Sequence, residues 1–212
     1  MKDSLMRFKK DRKFIIFDYE TCNLNLVSTE NKPWQLAFLV CHGQKIIERF
    51  NFYLRWNPLN ISEEAAKVTG FNKSTYESEA LCPKSCLQKF DSYLYNEEYY
   101  VVGHNILSFD IYIHNIHRNL CNLKTDYSYL NRAIDTNCLA KSTALDLDID
   151  FSNFLLWQFK LTNLRKKGLK TNLKFLCEKY QIEFDSSKLH DALYDIEKNL
   201  EVFNKMLWKY EL

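Results

Sequence analysis

Apolar positions along the chain follow two periods. Phe14 to Phe17 form an unbroken apolar run that ends at Asp18, the pattern of a buried strand. Residues 34–42 and 45–55 read as second and third strands, and Gly43 between them supplies a turn, so the pair is expected to form a hairpin. "NISEEAAKVTG" carries helix signals: Ser62 as N-cap, acids in the first turn, and Gly70 closing the end. "PKSCLQKFDSYLYN" sets Cys86, Leu87, Phe90, Tyr93 and Leu94 at helical spacing, with Pro83 near the first turn. "YYVVGHN" predicts a short buried strand ending at Gly103. A helix follows, with Phe109, Ile113, Ile116 and Leu120 on one side. "RAID" predicts a further short strand, and a helix begins at Thr136. "TNLKFLCEKYQI" is helical, and the stretch from His190 onward predicts a long terminal helix with Leu193, Ile196, Leu200, Phe203 and Leu207 inward.

Residues 143–170 fit neither period. "LDLDIDF" alternates apolar and acidic positions, as an extended segment or a solvated turn of helix would, and "NLRKKGLK" reads as a basic loop. Three strands, helices, a strand, a helix, a strand and more helices define an α/β domain with a central mixed sheet. No repeat or linker divides the 212 residues, so one domain is expected, preceded by a flexible basic leader over residues 1–12.

Composition narrows the function classes. The net charge of +2 argues against a protein that coats nucleic acid by charge alone, but not against an enzyme whose acidic centre offsets a basic substrate path. Seven cysteines, an odd number, are expected as free thiols in a reducing cytoplasm, with "CPKSC" at a helix start rather than half a zinc site. The first apolar run is too short for a signal peptide, and no run is long enough to span a membrane.

The acids carry the chemistry. Residues i and i+2 of a strand face the same side, so Asp18 and Glu20 leave the end of the first strand together. Two buried carboxylates repel each other, and a hard divalent cation would reverse that cost. Asp110 follows the strand end Gly103-His104-Asn105 by a few residues and opens a helix, where an acid suits the dipole. Asp195 stands five residues after His190, close to the apolar stripe of the last helix rather than clearly on its outer face. Each feature alone has a bland reading as a solvated or capping side chain.

Taken together they resemble the DEDDh branch of 3′→5′ exonucleases, the DnaQ-like group. The first motif of that family corresponds to Asp18-Tyr19-Glu20-Thr21, the second to Gly103-His104-Asn105 with Phe109-Asp110, and the third to His190-Asp191-Ala192-Leu193-Tyr194-Asp195. "PWQLA", "AAKVTGF" and "IDTNCLAK" are softer matches, and the resemblance runs from about Phe14 to about Leu207. It implies a ribonuclease-H-like fold, a five-stranded mixed sheet flanked by helices with the first strand central. It also implies two divalent cations, Mg²⁺ or Mn²⁺, clamping the attacking and leaving oxygens. In that scheme Asp18 bridges both ions, Glu20 and Asp195 hold the one that activates water, Asp110 supports the other, and His190 takes the proton.

The resemblance further implies a grip on the terminal nucleotide by Thr21 and Leu24. Cys22 and Asn23 depart from the family in detail. His104 and Asn105 are candidates either for touching the strand or for orienting their loop. Residues 143–170 are longer than the usual family connection, and their Arg165, Lys166, Lys167 and Lys170 are candidates for guiding the phosphate backbone, or are a solvated loop. Trp157 and Phe159 are candidates for base stacking, though core positions are commoner for such residues. Asp146, Asp148 and Asp150 are assigned to the surface. The expected activity is release of nucleoside 5′-monophosphates from 3′ ends of single-stranded nucleic acid, DNA before RNA. The alternatives are a proofreading subunit of a DNA polymerase or an oligoribonuclease-like RNA exonuclease.

Overall fold

The structure is a computed structural model and describes residues 11–209. The leader expected over residues 1–12 therefore lies almost wholly outside the described residues. Five strands form one mixed sheet in the order β3-β2-β1-β4-β5. β1 (Lys13–Thr21) is central, flanked by antiparallel β2 (Pro33–His42) and parallel β4 (Tyr99–Gly103). β3 (Lys45–Tyr53) pairs with β2 as the expected hairpin, its turn using Gly43 at φ 56°. β5 (Ala133–Asp135) closes the other edge beside β4.

Side-chain alternation along β1 divides the core. Phe14 and Ile16 point to one face, which is covered by α5 (Thr136–Leu145), α6 (Phe154–Thr162), α7 (Leu173–Lys179) and α8 (Ala192–Lys209). Ile15, Phe17 and Tyr19 point to the other, which is covered by α3 (Pro83–Leu94) and α4 (Asp110–Leu120). Two short helices, α1 (Glu63–Thr69) and α2 (Lys73–Glu79), follow the hairpin. Ser62 caps α1 and Gly70 ends it at φ 65°, as their residue types predict.

One local reading is corrected, and two helices that the sequence pattern did not show are added. The terminal helix begins at Ala192, not His190, which sits in the preceding turn at φ 72°. Asp191 causes the delay: its Oδ1 accepts the Tyr194 N–H at 2.9 Å in the manner of an N-cap, so the chain enters the helix only after it. α2 has only Tyr76 buried and so shows no apolar period. Residues 143–170, which fit neither period, contain a further helix. The acidic alternation is an exposed turn, and α6 follows with Trp157, Gln158 and Leu161 buried. Trp157 is thus a core residue, and Phe159 packs against the opposite cluster.

One glycine is required by packing. A Cβ on Gly103 would overlap Ile106 Cγ2 and lie 3.2 Å from the Phe17 carbonyl of the central strand. Gly103→Ala is expected to lower stability by about 1–3 kcal/mol, the range for overpacking. Urea denaturation checks it; an unchanged midpoint would mean that the β4 end relaxes freely.

Candidate active site

β1 outruns β4. Their parallel pairing ends at Ile16 with Val102, so the last residues of β1 have a free edge. Asp110 fills part of it: its Oδ1 accepts the Tyr19 N–H at 3.0 Å. That bond brings the start of α4 beside Asp18 and Glu20. Those two continue the face of Phe14 and Ile16, which α8 covers. Ala192, Ile196 and Leu200 anchor the helix there, so Asp195 arrives above the carboxylates of β1. Asp18, Glu20, Asp110, His190 and Asp195 all line one cavity of about 300 Å³.

The surrounding bonds hold the loops that deliver these groups. Buried Asp135 accepts four backbone N–H groups, from Asn105, Leu107, Asn137 and Cys138. It thereby ties the turn after β4 to the start of α5. His104 and Asn105 line the cavity, and His104 Nδ1 lies 3.0 Å from Thr136 Oγ1. Burial, with a further push from the Lys141 charge, lowers His104 to about 4 against a bond that its ring donates to the Thr171 backbone carbonyl, so its imidazole is neutral at neutral pH. Asn199, one helical turn after Asp195, accepts the Thr136 hydroxyl at 2.8 Å and clamps α8 to α5. The backbone N–H of His190 donates to Asp195 Oδ2 at 3.2 Å. Asp191 Oδ2 accepts a 3.4 Å bond from Gln35, which pairs with Glu20 across the sheet.

Beneath the site, the Tyr19 hydroxyl and His117 Nδ1 are 3.2 Å apart, and His117 Nε2 lies 3.0 Å from the Pro83 carbonyl. Burial drives His117 down to about 3, so this contact is uncharged. It fixes the residue between the two carboxylates of β1.

Four acids in one small cavity are costly. Burial, followed by Asp110, Glu20, Asp195 and Asp191, raises Asp18 well above the usual carboxylate range. Glu20 is raised by burial and then by Asp195, Asp110 and Asp191. Burial pushes Asp110 up to about 8 against two backbone N–H bonds, and Asp195 up to about 7 against the His190 N–H. Asp195 Oδ1 is buried without a hydrogen-bond partner.

In the metal-free fold, Asp110 and Asp195 hold protons that the unfolded chain releases near pH 4. Their contribution is fully present below that pH and is lost as pH rises through about 7 to 8. The Tm in chelator is expected to fall between pH 5 and pH 8.5, with a shallower fall in Asp110→Asn. An equal slope in that variant would contradict this origin.

The donor set suits a hard divalent cation. All four groups are carboxylates, they repel one another, and one oxygen is orphaned. Among the described residues, no three His, Cys, Asp or Glu side chains form a ready-made ligand cluster. The four acids therefore share one cavity without already forming a closed cage.

The other expected substrate residues sit elsewhere. Thr21 is buried and donates its hydroxyl to the Asn23 carbonyl at 2.6 Å, outside the cavity wall. Leu24, 82% exposed, projects from the following loop. Arg165, Lys166 and Lys167 do not line this cavity. Asn172, Leu173 and Asn199 do line it, and sequence reading missed them. Asn199 alone had a signal, its four-residue spacing from Asp195.

A sheet of this order, with acids from β1, α4 and α8 converging at its centre, defines a class of phosphodiester hydrolases. The family model described as Exonuclease, of the RNase T type, matches residues 15–203, and the chain belongs to that family. Membership agrees with the DEDD-type 3′→5′ exonuclease reading of the motifs.

The zinc-bound form of Escherichia coli exonuclease I in complex with single-stranded DNA superposes with a TM-score of 0.71 at 17% identity, covering 93% of this chain and 42% of that one. The same enzyme with a dT13 oligonucleotide gives 0.70 at 17%, covering 91% and 40%. Exonuclease I from Methylocaldum szegediense gives 0.69 at 17%, covering 93% and 40%. These likenesses establish the ribonuclease-H-like exonuclease fold. The chain spans about two fifths of the length of these proteins. Comparison with curated protein sequences gives no match. Among the described residues, no helix is long and apolar enough to cross a membrane.

Proposed function

We propose that this cavity hydrolyses the 3′-terminal phosphodiester of single-stranded nucleic acid, DNA before RNA, and releases nucleoside 5′-monophosphates. The observation that carries the reading is the meeting of Asp18, Glu20, Asp110 and Asp195 with His190 in one cavity. Asp18, Glu20, Asp110 and Asp195 would hold two divalent cations, Mg²⁺ or Mn²⁺. When bound, the cations neutralise the acids, favour loss of a proton from water, and offset charge on the scissile phosphate.

The chain's own groups supply the rest. An imidazole nitrogen of His190, at the exposed edge of the cavity, takes the proton of the attacking water. The turn holding it is fixed from two sides, by Asp195 and through Asp191 by Gln35. His104 is neutral and so contributes a hydrogen bond rather than a cation. Phe109 and Leu173 on the cavity wall are apolar groups available to the terminal base, with the exposed Leu24 just beyond the strand. Exonuclease I bound to single-stranded oligonucleotides supports the choice of DNA.

Isothermal titration with Mn²⁺ tests the ligand set. Two sites are expected in the wild type, with affinity lost in Asp195→Asn. Product analysis should find 5′-monophosphates; 3′-monophosphates or unchanged Mn²⁺ binding in the variant would contradict the reading.

A further inference from the structure

We infer that a lysine-lined cleft between α5 and α7 is a second contact for the substrate strand, holding the phosphodiester backbone upstream of the terminal nucleotide. The inference rests on the function proposed above. The cleft has a volume of about 410 Å³ and is walled by Lys166, Lys167, Lys170 and Lys179 over an apolar floor that includes Leu145 and Phe175. No acidic side chain is among its described lining residues.

Charge is concentrated here to a degree that the whole chain conceals. Residues 160–179 carry seven basic side chains and one acid, a net +6. The chain as a whole is +2, so the remainder is −4. A polyanion arriving at this protein is therefore drawn to one segment.

The two sites abut. Lys170 lines the cleft and Asn172 lines the acidic cavity. Two residues of chain span at most about 7 Å. Thr171, between them, bonds through its backbone to His104 on the cavity wall. Asn172 caps α7, its side chain accepting the Phe175 N–H at 2.9 Å, so the junction is fixed to a helix start. A strand whose 3′ end enters the acidic cavity has this ridge and the cleft beyond it as its nearest basic path. The ammonium groups would meet phosphate oxygens, and the apolar floor would meet sugars or bases, an arrangement indifferent to sequence. This gives Lys166 and Lys167 a role that the acidic cavity does not: they act on the strand, not on the reacting end.

The test is length-dependent binding, read separately from turnover. Fluorescent oligothymidylates of two to twenty nucleotides are titrated with the 212-residue chain in chelator, and Kd is followed by anisotropy from low to moderate salt. The parent's affinity is expected to climb with length and then level off. In Lys166→Ala/Lys167→Ala/Lys170→Ala that climb flattens, and the slope of log K against log salt falls by about 2, near 0.7 for each lost phosphate contact. A control with equal charge loss elsewhere, Lys45→Ala/Lys67→Ala/Lys124→Ala, should keep the parent's length dependence. Equal behaviour of the cleft variant and parent, or equal loss in the control, overturns the inference. Parallel assay of the parent with Mn²⁺ separates the two claims. A parent that binds long strands through the cleft but cuts none would sink the proposed function and leave the strand contact standing.

Discussion

Asp18→Asn is expected to abolish turnover while making the metal-free protein more stable. The two effects have one origin. Asp18 sits among Asp110, Glu20 and Asp195, and burial and these charges together raise it far above the usual carboxylate range. The amide keeps the shape and removes the repulsion, so the Tm in chelator should rise. Activity moves the other way. A carboxylate that would hold the proposed cations supports several kcal/mol of transition-state stabilisation, and at 1.36 kcal/mol per tenfold its loss corresponds to about 10³-fold or more in kcat/KM. Thermal melts in chelator and single-turnover assays with Mn²⁺ check both halves. Retained turnover would remove Asp18 from the site. A lower Tm would mean that Asp18 stabilises the fold instead of straining it.

His190→Asn is expected to cut kcat by about 10²- to 10⁴-fold, the usual contribution of a general base, with Mn²⁺ affinity and Tm little changed. Asparagine is the informative replacement because His190 holds φ at 72°, in the left-handed region that Asn tolerates better than Ala. It therefore removes the imidazole and keeps the turn. His190→Ala would add backbone strain to the same chemical loss, so it should be the less stable of the two. A His190→Asn enzyme with parental kcat would assign proton transfer to another group.

Much of this architecture was legible in the chain because its main signals are local. Phe14 to Phe17 mark the central strand, and the alternation through Asp18 and Glu20 places both acids on one side before any contact is known. Ser62, Gly70, Gly43 and Pro83 mark turns and helix ends by their backbone preferences. The long-range features were harder to read. Nothing near Asp110 in sequence says that it accepts the Tyr19 N–H, since that bond exists only because β4 stops short of the end of β1. Asn172 falls in a stretch that reads simply as helix, and its place on the cavity wall depends on how α7 packs. The start of α8 was read two residues early because Asp191 looks like any polar first-turn residue until its capping bond is seen. The basic loop was recognised by its composition. Its position beside the acidic cavity, not inside it, is a matter of tertiary placement.

The proposed activity is removal of nucleotides from a 3′ end by one acidic cavity with the help of divalent cations. Its most direct test is incubation of pure protein with 5′-labelled single-stranded DNA, and with RNA of the same sequence, in Mg²⁺, in Mn²⁺ and in chelator, alongside Asp195→Ala. The prediction is a ladder that shortens from the 3′ end with either cation, faster on DNA, and is absent in chelator and in the variant. Shortening that persists in chelator or in Asp195→Ala, or no shortening of either strand by folded, Mn²⁺-loaded protein, would contradict it.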